Sequence, residues 1–589
     1  MVETKTLAYT GAAFLYQASN NFFTPEDFTE EHRLIAKTAK RFLEKEVRPK
    51  NEEIEKQNFK VVQTLFEKAG ELGLLGHSVP ENYGGLGLDK ISKGLVGESL
   101  GSAGSYGVAH SNHTCIATLP ITYFGTSQQK ETYLPKLASG EFIGAYCLTE
   151  PGAGSDALSG KTTAKLNEEQ THYILNGTKM FITNAEFADT FIVYAKVDGR
   201  AFTAFIVEKD HPGLSLGPEE QKMGIKGSST RAVIFEDCKV PVENLLGDIG
   251  KGHVIALNVL NLGRYNLGSA CMGAAKYALE LTLNYTSERR QFGKAIADFS
   301  ATQEKIAHMA LRIYASESLQ YRTAGYLESA LGDLYASENH YDIAKQLMEY
   351  AVECAVCKVH GSETLDFVVD EAFQLHGGYG FIKEYKIEQL YRDSRINRIF
   401  EGTNEVNRLL IIGNLLKQTA KGKIPLQQLT ASAVEELKAP KSIDDHVLST
   451  ELEAIHAIRR VFLFCIGICY ETYNGELMEE QEILMGLADI GIALYSLESA
   501  VIRTAKALEP ETKEQHIQKT LMAQAMTGDI LLEVEMIARK ILQAASAENQ
   551  LAHNTAVVSS ELSRLQKSGL GKVKRQIAKN LLESNQYIF

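Results

Sequence analysis

THYILNGTKMFIT, Thr171 to Thr183, is the stretch on which the fold turns. Hydrophobic and polar residues alternate in it, as in a half-buried strand, and Asn176-Gly177 predicts a turn. TFIVYAKV (Thr190–Val197), AFTAFIVE (Ala201–Glu208) and TRAVIFEDCKV (Thr230–Val240) are β-branched or aromatic runs bounded by turn residues. Together they predict a β domain over 144–250. Outward on both sides the period changes to that of a helix. KYALELTLNYTSERR (Lys276–Arg290) and IAKQLMEYAVECAVCKVH (Ile343–His360) carry it on the C-terminal side. On the N-terminal side Thr24 reads as a cap before Pro25-Glu26-Asp27, opening helices that run to about residue 140. The predicted order is a helical domain over 1–143, the β domain, and a helical domain over 251–416. A linker over 417–445, marked by Gly422, Pro425 and Pro440, precedes a helical extension over 446–589.

The chain has 589 residues, enough for about four such units. Its net charge of −13, spread along the chain, excludes a binder that works by neutralising nucleic-acid phosphates. Eight cysteines in a chain this long do not make a disulfide scaffold and fit a reducing compartment. VFLFCIGICY, Val461–Tyr470, is the longest notable apolar run and falls short of the ~18 residues of a membrane span. The first residues carry an early acid and no basic leader, so no secretory signal is expected, and a bacterial location would be cytoplasmic. In the extension, Leu448, Leu452, Ile455, Ile458, Phe462, Cys465 and Cys469 recur at spacings of three and four. So do Leu487, Ile490, Leu494, Leu497 and Val501. Such stripes predict packing on the rest of the chain and a homodimer. The rival reading is a membrane-surface helix. Arg459 and Arg460 would form its basic face, but Glu451, Glu453 and Glu471 offset them.

Three segments carry candidate chemistry. AYCLTEPGAGSDALSGK, Ala145–Lys161, ends a strand in a glycine-rich loop with hydroxyls at Thr149 and Ser155. It is either a phosphate or cofactor cradle or an ordinary turn, and it is neither a P-loop nor a dinucleotide fingerprint. ERRQFGK, Glu288–Lys294, is either a pyrophosphate site or a solvated basic helix end. In RDSRINRIFEGTNEVNRLLIIG, Arg392–Gly413, Glu401 lies between Ile399-Phe400 and Gly402. Read alone, it is a desolvated general base or a helix cap. Cys354-x-x-Cys357 with His360 lies within a helical pattern without a second pair, so no metal site is expected. His110 and His113 read as polar lining or core.

In this order, these segments strongly resemble the acyl-CoA dehydrogenase family. PENYGGLGL (Pro80–Leu88), GTKMFITNA (Gly177–Ala185), KMGIKGSSTRAVIFEDCKVP (Lys222–Pro241) and FQLHGGYGF (Phe373–Phe381) add to the match. The extension is similar to that of the very-long-chain branch, which forms dimers, whereas shorter members are usually tetramers. The resemblance implies an α+β fold, mainly α. It has an N-terminal helical domain, a β-barrel-like middle domain, a C-terminal four-helix domain and the extra helical unit. It also implies FAD, bound by Tyr146, Leu148, Thr149 and Ser155, with Phe181, Ile182 and Thr183 along the ring. Tryptophan is common in the family where this chain has Phe181. Arg289, Gln291 and Phe292, with Gln374, Gly377 and Gly378, match segments that reach the cofactor of a neighbouring subunit. Thr403 and Glu405 match positions near the ADP moiety. Ser155, Asn261, Arg264 and Gly402 match substrate-binding positions. Glu401 matches the catalytic base. A subset of relatives carries the base just before the position of Arg264; here Asn261-Leu262-Gly263 holds no acid.

The implied reaction is α,β-dehydrogenation of a medium- to long-chain fatty acyl-CoA to the trans-2-enoyl-CoA, the first step of fatty acid β-oxidation. Glu401 would take the α-proton, FAD the β-hydride, and an electron-transfer flavoprotein the electrons. Two alternatives remain at this point. One is an acyl-CoA oxidase; the other is an assembly role, as in a relative with this extension. The segment YGVAHSNH, Tyr106–His113, maps near the floor of the acyl cavity without fixing its depth.

Overall fold

The computed structural model describes residues 10–19, 21–332, 334, 337, 339–439, 447–508 and 513–589. The N-terminal unit is built from α1 (Glu30–Phe42), α2 (Asn51–Glu55), α3 (Phe59–Glu71), α4 (Lys90–Leu100), α5 (Ser105–Ser111), α6 (Leu119–Phe124) and α7 (Ser127–Ser139). Pro25–Asp27 forms only a 3-10 turn, in which the Thr24 N–H donates to Asp27 at 2.9 Å. The first α-helix starts later, at Glu30, where Thr29 accepts from the His32 N–H. Glu26 and Asp27 have another use: they pair with Arg503, Lys519 and Lys506 of the extension.

The middle unit holds β1 (Gly144–Cys147), β2 (Thr163–Leu166), β3 (His172–Thr183), β4 (Thr190–Val197), β5 (Ala201–Glu208), β6 (Leu214–Glu219), β7 (Thr230–Pro241) and β8 (Leu245–Leu246). The ladder runs β6-β7-β3-β2-β4-β5-β8, and β1 lies parallel to β4. The turn expected at Asn176-Gly177 is absent. β3 runs through it, and its register against β7 shifts between Leu175 and Gly177. A Cβ on Gly177 would stand 2.4 Å from Thr162 Oγ1, so the glycine serves a bulge where two backbones approach closely.

The second helical unit comprises α8 (Gly252–Glu288), α9 (Ser300–Leu331), α10 (His340–Glu349), α11 (Ala351–His376), α12 (Lys386–Ser394) and α13 (Asn404–Ala420). Between α8 and α9, β9 (Arg290–Gln291) and β10 (Lys294–Ala295) form a two-stranded hairpin. The helices α8 and α11 touch at Gly268 and Gly361, where a Cβ on Gly361 would lie 2.9 Å from the Gly268 Cα. That contact brings Arg264 and Lys358, on the two helices, to the same loop.

The stretch expected as a linker is largely helical. α13 continues to Ala420, and α14 (Leu426–Lys438) follows. Leu426 and Ala433 are buried, with Leu429, Val434 and Leu437 packed on the core, so this short amphipathic helix lies between the breakers Gly422-Pro425 and Pro440. Residues 440–445 of the expected linker lie outside the described residues.

The extension adds α15 (Ser449–Tyr473), α16 (Gln481–Leu508), α17 (Lys513–Ala545), α18 (Glu548–Ser563) and α19 (Leu570–Ser584). Its predicted stripes face inward: Ile458, Phe462, Cys465, Leu487, Ile490, Leu494 and Val501 are fully buried. Each such aliphatic or aromatic side chain contributes ~1.5–3 kcal/mol of burial. α16 packs on α9 and α13. By length and hydropathy alone α16 is long and apolar enough to cross a membrane, but most of it is buried within the protein, as in a core helix. Arg459 and Arg460 do not form a surface face either. Both are buried, Arg459 paired with Glu498 and Arg460 with Glu453 and Glu561.

Candidate functional site

The loop between Arg398 and α13 holds Glu401 at φ 56° and Gly402 at φ 79°. Two consecutive left-handed residues turn the chain sharply, and for a glutamate that conformation is strained. Thr403 caps α13, accepting from the Val406 N–H at 3.3 Å. The cap is therefore Thr403, and the Glu401 side chain is left for another use. It points at α8: a Cβ on Gly263 would be 2.8 Å from Glu401 Oε2 and 3.0 Å from Ile116 Cγ2. Oε2 is buried and finds no hydrogen-bond partner among the described residues.

Glu401 stands in the wall of a cavity whose apolar lining includes Val96, Leu100, Ile116, Leu267 and Phe400. Burial pushes its carboxyl up to about 7, while Arg264 and Lys358 pull the other way. These cations bond to carbonyls rather than to the carboxylate. Arg264 Nε donates to the Glu401 carbonyl at 3.3 Å, and Lys358 Nζ to the Gly402 carbonyl at 2.7 Å. The geometry yields a carboxylate of high proton affinity, desolvated and not locked in an ion pair.

A second group of predicted residues leads up to this cavity. Tyr146 and Leu148 are buried, and Thr149 and Ser155 lie on the loop after β1. That loop is pinned at its base by the buried pair of Glu150 and Lys179, 2.7 Å apart, with Lys179 also donating to the Leu148 carbonyl. At its tip, Gly152 and Gly154 have nothing within 4 Å of a Cβ position. The Met180 N–H donates to the Thr149 carbonyl and so joins the loop to Phe181. Phe181 is 62% exposed at φ 59°, an aromatic ring held out of the core by strained backbone. Ile182 is buried beneath it, and Thr183 lines the Glu401 cavity.

A third group forms a separate cleft. Arg289, Gln291, Gln374, Gly377 and Gly378 line it together with Tyr285 and Tyr379. The Arg289 guanidinium lies over the Tyr379 ring, 5.3 Å from its centroid. Phe292, at the hairpin tip, is 94% exposed at φ 50° and does not line this cleft. The cleft shares no lining residue with the Glu401 cavity. Thr403 is half-buried and Glu405 exposed at the start of α13, where its own backbone N–H holds the Glu405 carboxyl below its ordinary value. Asn261 is buried one turn before Arg264 and accepts from it at 2.9 Å.

The succession of domains is matched along the chain. The family described as "Acyl-CoA dehydrogenase, N-terminal domain" matches residues 29–141, the middle domain 145–238, and the C-terminal domain 250–416. The chain belongs to the acyl-CoA dehydrogenase family. A further acyl-CoA dehydrogenase C-terminal domain matches 457–558, within the extension. The chain is 49% identical over 583 residues to the "Probable acyl-CoA dehydrogenase" of Bacillus subtilis (strain 168), covering 98% of each chain. It is 34% identical over 525 residues to the very long-chain specific acyl-CoA dehydrogenase, mitochondrial, of Bos taurus, covering 83% of this chain and 77% of that one. A crystal structure of the acyl-CoA dehydrogenase complexed with FAD from Bacillus anthracis has TM-score 0.96 and 47% identity. It covers 99% of this chain and 100% of that one.

Some residues around the site of this acyl-CoA dehydrogenase escape a reading of the sequence. Gly263 is noted there only for lacking an acid, whereas its missing side chain makes the space that the Glu401 carboxyl fills. Lys358 is a cation on the buried face of α11, pushed down to about 8 by burial; its helical spacing from Cys354 and Gly361 was the available signal. Ile225, at φ 45°, and the buried Asp393 line the cavity, the Ile225 N–H donating to the Asp393 carboxylate. His110 also lines the cavity, while His113 bridges the Leu137 carbonyl and the Gly144 N–H. Cys354 and Cys357 are buried thiols, and His360 bonds to Ser316 at 2.8 Å.

Proposed function

We propose that this family member dehydrogenates medium- to long-chain fatty acyl-CoA thioesters to trans-2-enoyl-CoA, with FAD as cofactor and Glu401 as base. The observation that carries the reading is the Glu401 carboxyl itself. Its Oε2 is buried without a hydrogen-bond partner among the described residues, in the wall of the cavity, and burial raises the group to about 7. A thioester α-proton is weakly acidic, and a solvated carboxylate removes it slowly. Desolvation raises the basicity of Glu401, and the strained loop fixes its direction. Its own N–H, with Gly402 beside it, is the proposed donor to the thioester oxygen as enolate charge develops.

The residues present fit FAD. The loop of Thr149 and Ser155 has glycines whose Cβ space is empty, and Phe181 presents an exposed ring beside it. When bound, FAD accepts the β-hydride and supplies the two-electron oxidation. The Bacillus anthracis relative, complexed with FAD, supports this choice. The Arg289–Gly378 cleft is proposed as the contact of one subunit with its neighbour's cofactor, making the protein a homodimer. An electron-transfer flavoprotein is the proposed electron acceptor, in fatty acid β-oxidation. The very long-chain specific relative from Bos taurus supports the chain-length class.

The test is anaerobic mixing of the purified yellow protein with acyl-CoA substrates from butyryl to stearoyl. The reading expects flavin bleaching with stoichiometric 2-enoyl-CoA, strongest for the medium and long chains. Absence of bleaching with every chain length would overturn it.

A further inference from the structure

The catalytic loop is joined to the extension by a chain of polar contacts. Arg408 of α13 donates from Nε to Asp489 Oδ1 of α16 at 2.7 Å, and from its two terminal nitrogens to both oxygens of Glu363 on α11, at 2.8 and 2.9 Å. Glu363 accepts in turn from Asn404 Nδ2 at 3.0 Å. The Asn404 side-chain oxygen accepts from Lys358 Nζ at 2.7 Å, and the same ammonium donates to the Gly402 carbonyl at 2.7 Å. Charge alternates along this path: Asp489, Arg408, Glu363, Lys358, Glu401. Arg264 of α8 stands beyond Glu401 as the last cation.

The chain fixes orientation as well as charge. An asparagine amide can face either way, and the donor to Glu363 decides which end of Asn404 meets Lys358. Reversed, it would present a donor to an ammonium that has only donors. Lys358 is largely buried, and its other hydrogen-bond partner is a carbonyl, so its charge depends on Asn404, Glu363 and Glu401. We propose that Asp489 of the extension is a positioning residue for the catalytic loop, acting on Glu401 through Arg408, Glu363, Asn404 and Lys358. The proposal rests on the reading of Glu401 as base.

Without the Asp489 carboxylate, Arg408 gives its whole charge to Glu363. Glu363 then supports Asn404 and Lys358 less, and Lys358 loses its proton more readily. The groups facing Glu401 are Arg264 and Lys358, with the thiol of Cys115 and the hydroxyl of Tyr146 nearby. Those facing Lys358 include Cys271, Arg264 and Glu363. Arg408 and Glu363 face Asp489, and Glu533 of α17 adds an acid on that side. Weakening the Lys358 cation removes stabilisation from the Glu401 carboxylate, so the acid limb of flavin reduction moves to higher pH.

The experiment compares Asp489→Asn, Asp489→Glu and Glu401→Gln as FAD-loaded full chains. Flavin reduction by palmitoyl-CoA is followed anaerobically across pH. Asp489→Asn keeps shape and a hydrogen-bond acceptor, so melting temperature, FAD content and acyl-CoA affinity should match wild type. Its reduction rate should fall roughly 3- to 30-fold, the scale of couplings carried through a contact network. Its acid limb should rise by about half a pH unit. Asp489→Glu should recover most of both. A wild-type rate and midpoint in Asp489→Asn, with Glu401→Gln inactive, would refute the relay alone. A rate loss that only tracks lost FAD or lowered melting temperature would refute it too. A fast Glu401→Gln would instead refute the base, and with it the relay's target.

Discussion

Two of the regions in which this molecule buries charge treat it in opposite ways. On the seam between α9 and α16, Glu498 is fully enclosed. One of its oxygens accepts from Arg322 at 2.7 Å, the other from Arg459 at 2.5 Å and from the Ser19 N–H at 3.3 Å. In the cavity, Glu401 Oε2 is buried too, yet it has no hydrogen-bond partner among the described residues, and the nearby cations hold carbonyls. Two residues lining the cavity, Ile225 and Glu401, also have left-handed backbone. Charge that is satisfied where it is buried is architecture. Charge left unsatisfied on a strained loop marks where a ligand completes the structure.

The largest contrast should appear in Glu401→Gln. The rate of flavin reduction by acyl-CoA should fall about 10³-fold or more, the scale of losing a base from a preorganised site. Stability should move the other way. A carboxyl whose folded value is raised to about 7 binds protons more tightly when folded, so its stabilising share declines as pH rises and is gone above the folded value. At about pH 8.5 the glutamine variant should therefore melt higher than wild type, and below about pH 4 this advantage should vanish. An equal melting temperature at both pH values would mean that the carboxyl is solvated.

Glu498→Gln should do the reverse. It takes the Glu498 carboxylate away from the buried Arg322 and Arg459, so urea denaturation should show a loss of about 3–5 kcal/mol. Activity per folded flavin should stay at the wild-type level. A loss below about 1 kcal/mol would place the seam's stability in its apolar contacts alone. Gly263→Ala probes the junction of α8 with the catalytic loop. The added methyl meets the Glu401 carboxyl, which must rotate away, and the rate should fall roughly 10- to 100-fold with FAD content unchanged. Arg289→Ala should have the smallest effect, a roughly tenfold weaker hold on FAD measured by ultrafiltration, because a charge-assisted contact is lost at an open cleft. Unaltered retention would remove Arg289 from the cofactor's contacts.

The same contrast explains what the sequence made legible. Strand and helix periods placed the β domain, its flanks and the extension, because each is a local pattern of burial. The Glu-Gly-Thr segment was visible as an acid among apolar neighbours. The contacts of Gly263, Lys358 and Asp489 were not visible, because they arise where α8, α11, α13 and α16 meet across more than 200 residues. Local signals also misled where tertiary packing used them differently. Gly422 and Pro425 marked the start of a short helix rather than a linker, and Gly177 served a bulge rather than a turn. Arg459 and Arg460 looked like a solvated face because their partners Glu498 and Glu561 lie on other helices.

The most direct test of the account is the pH dependence of the first flavin reduction. FAD-loaded wild-type protein is mixed anaerobically with saturating palmitoyl-CoA between about pH 5 and about pH 9, and the bleaching rate is fitted to one ionisation. A desolvated Glu401 predicts a rate that climbs through a midpoint about 7 and levels off above it. A midpoint at the ordinary carboxylate value of about 4.5 would contradict the claim that the fold raises the base by burying it.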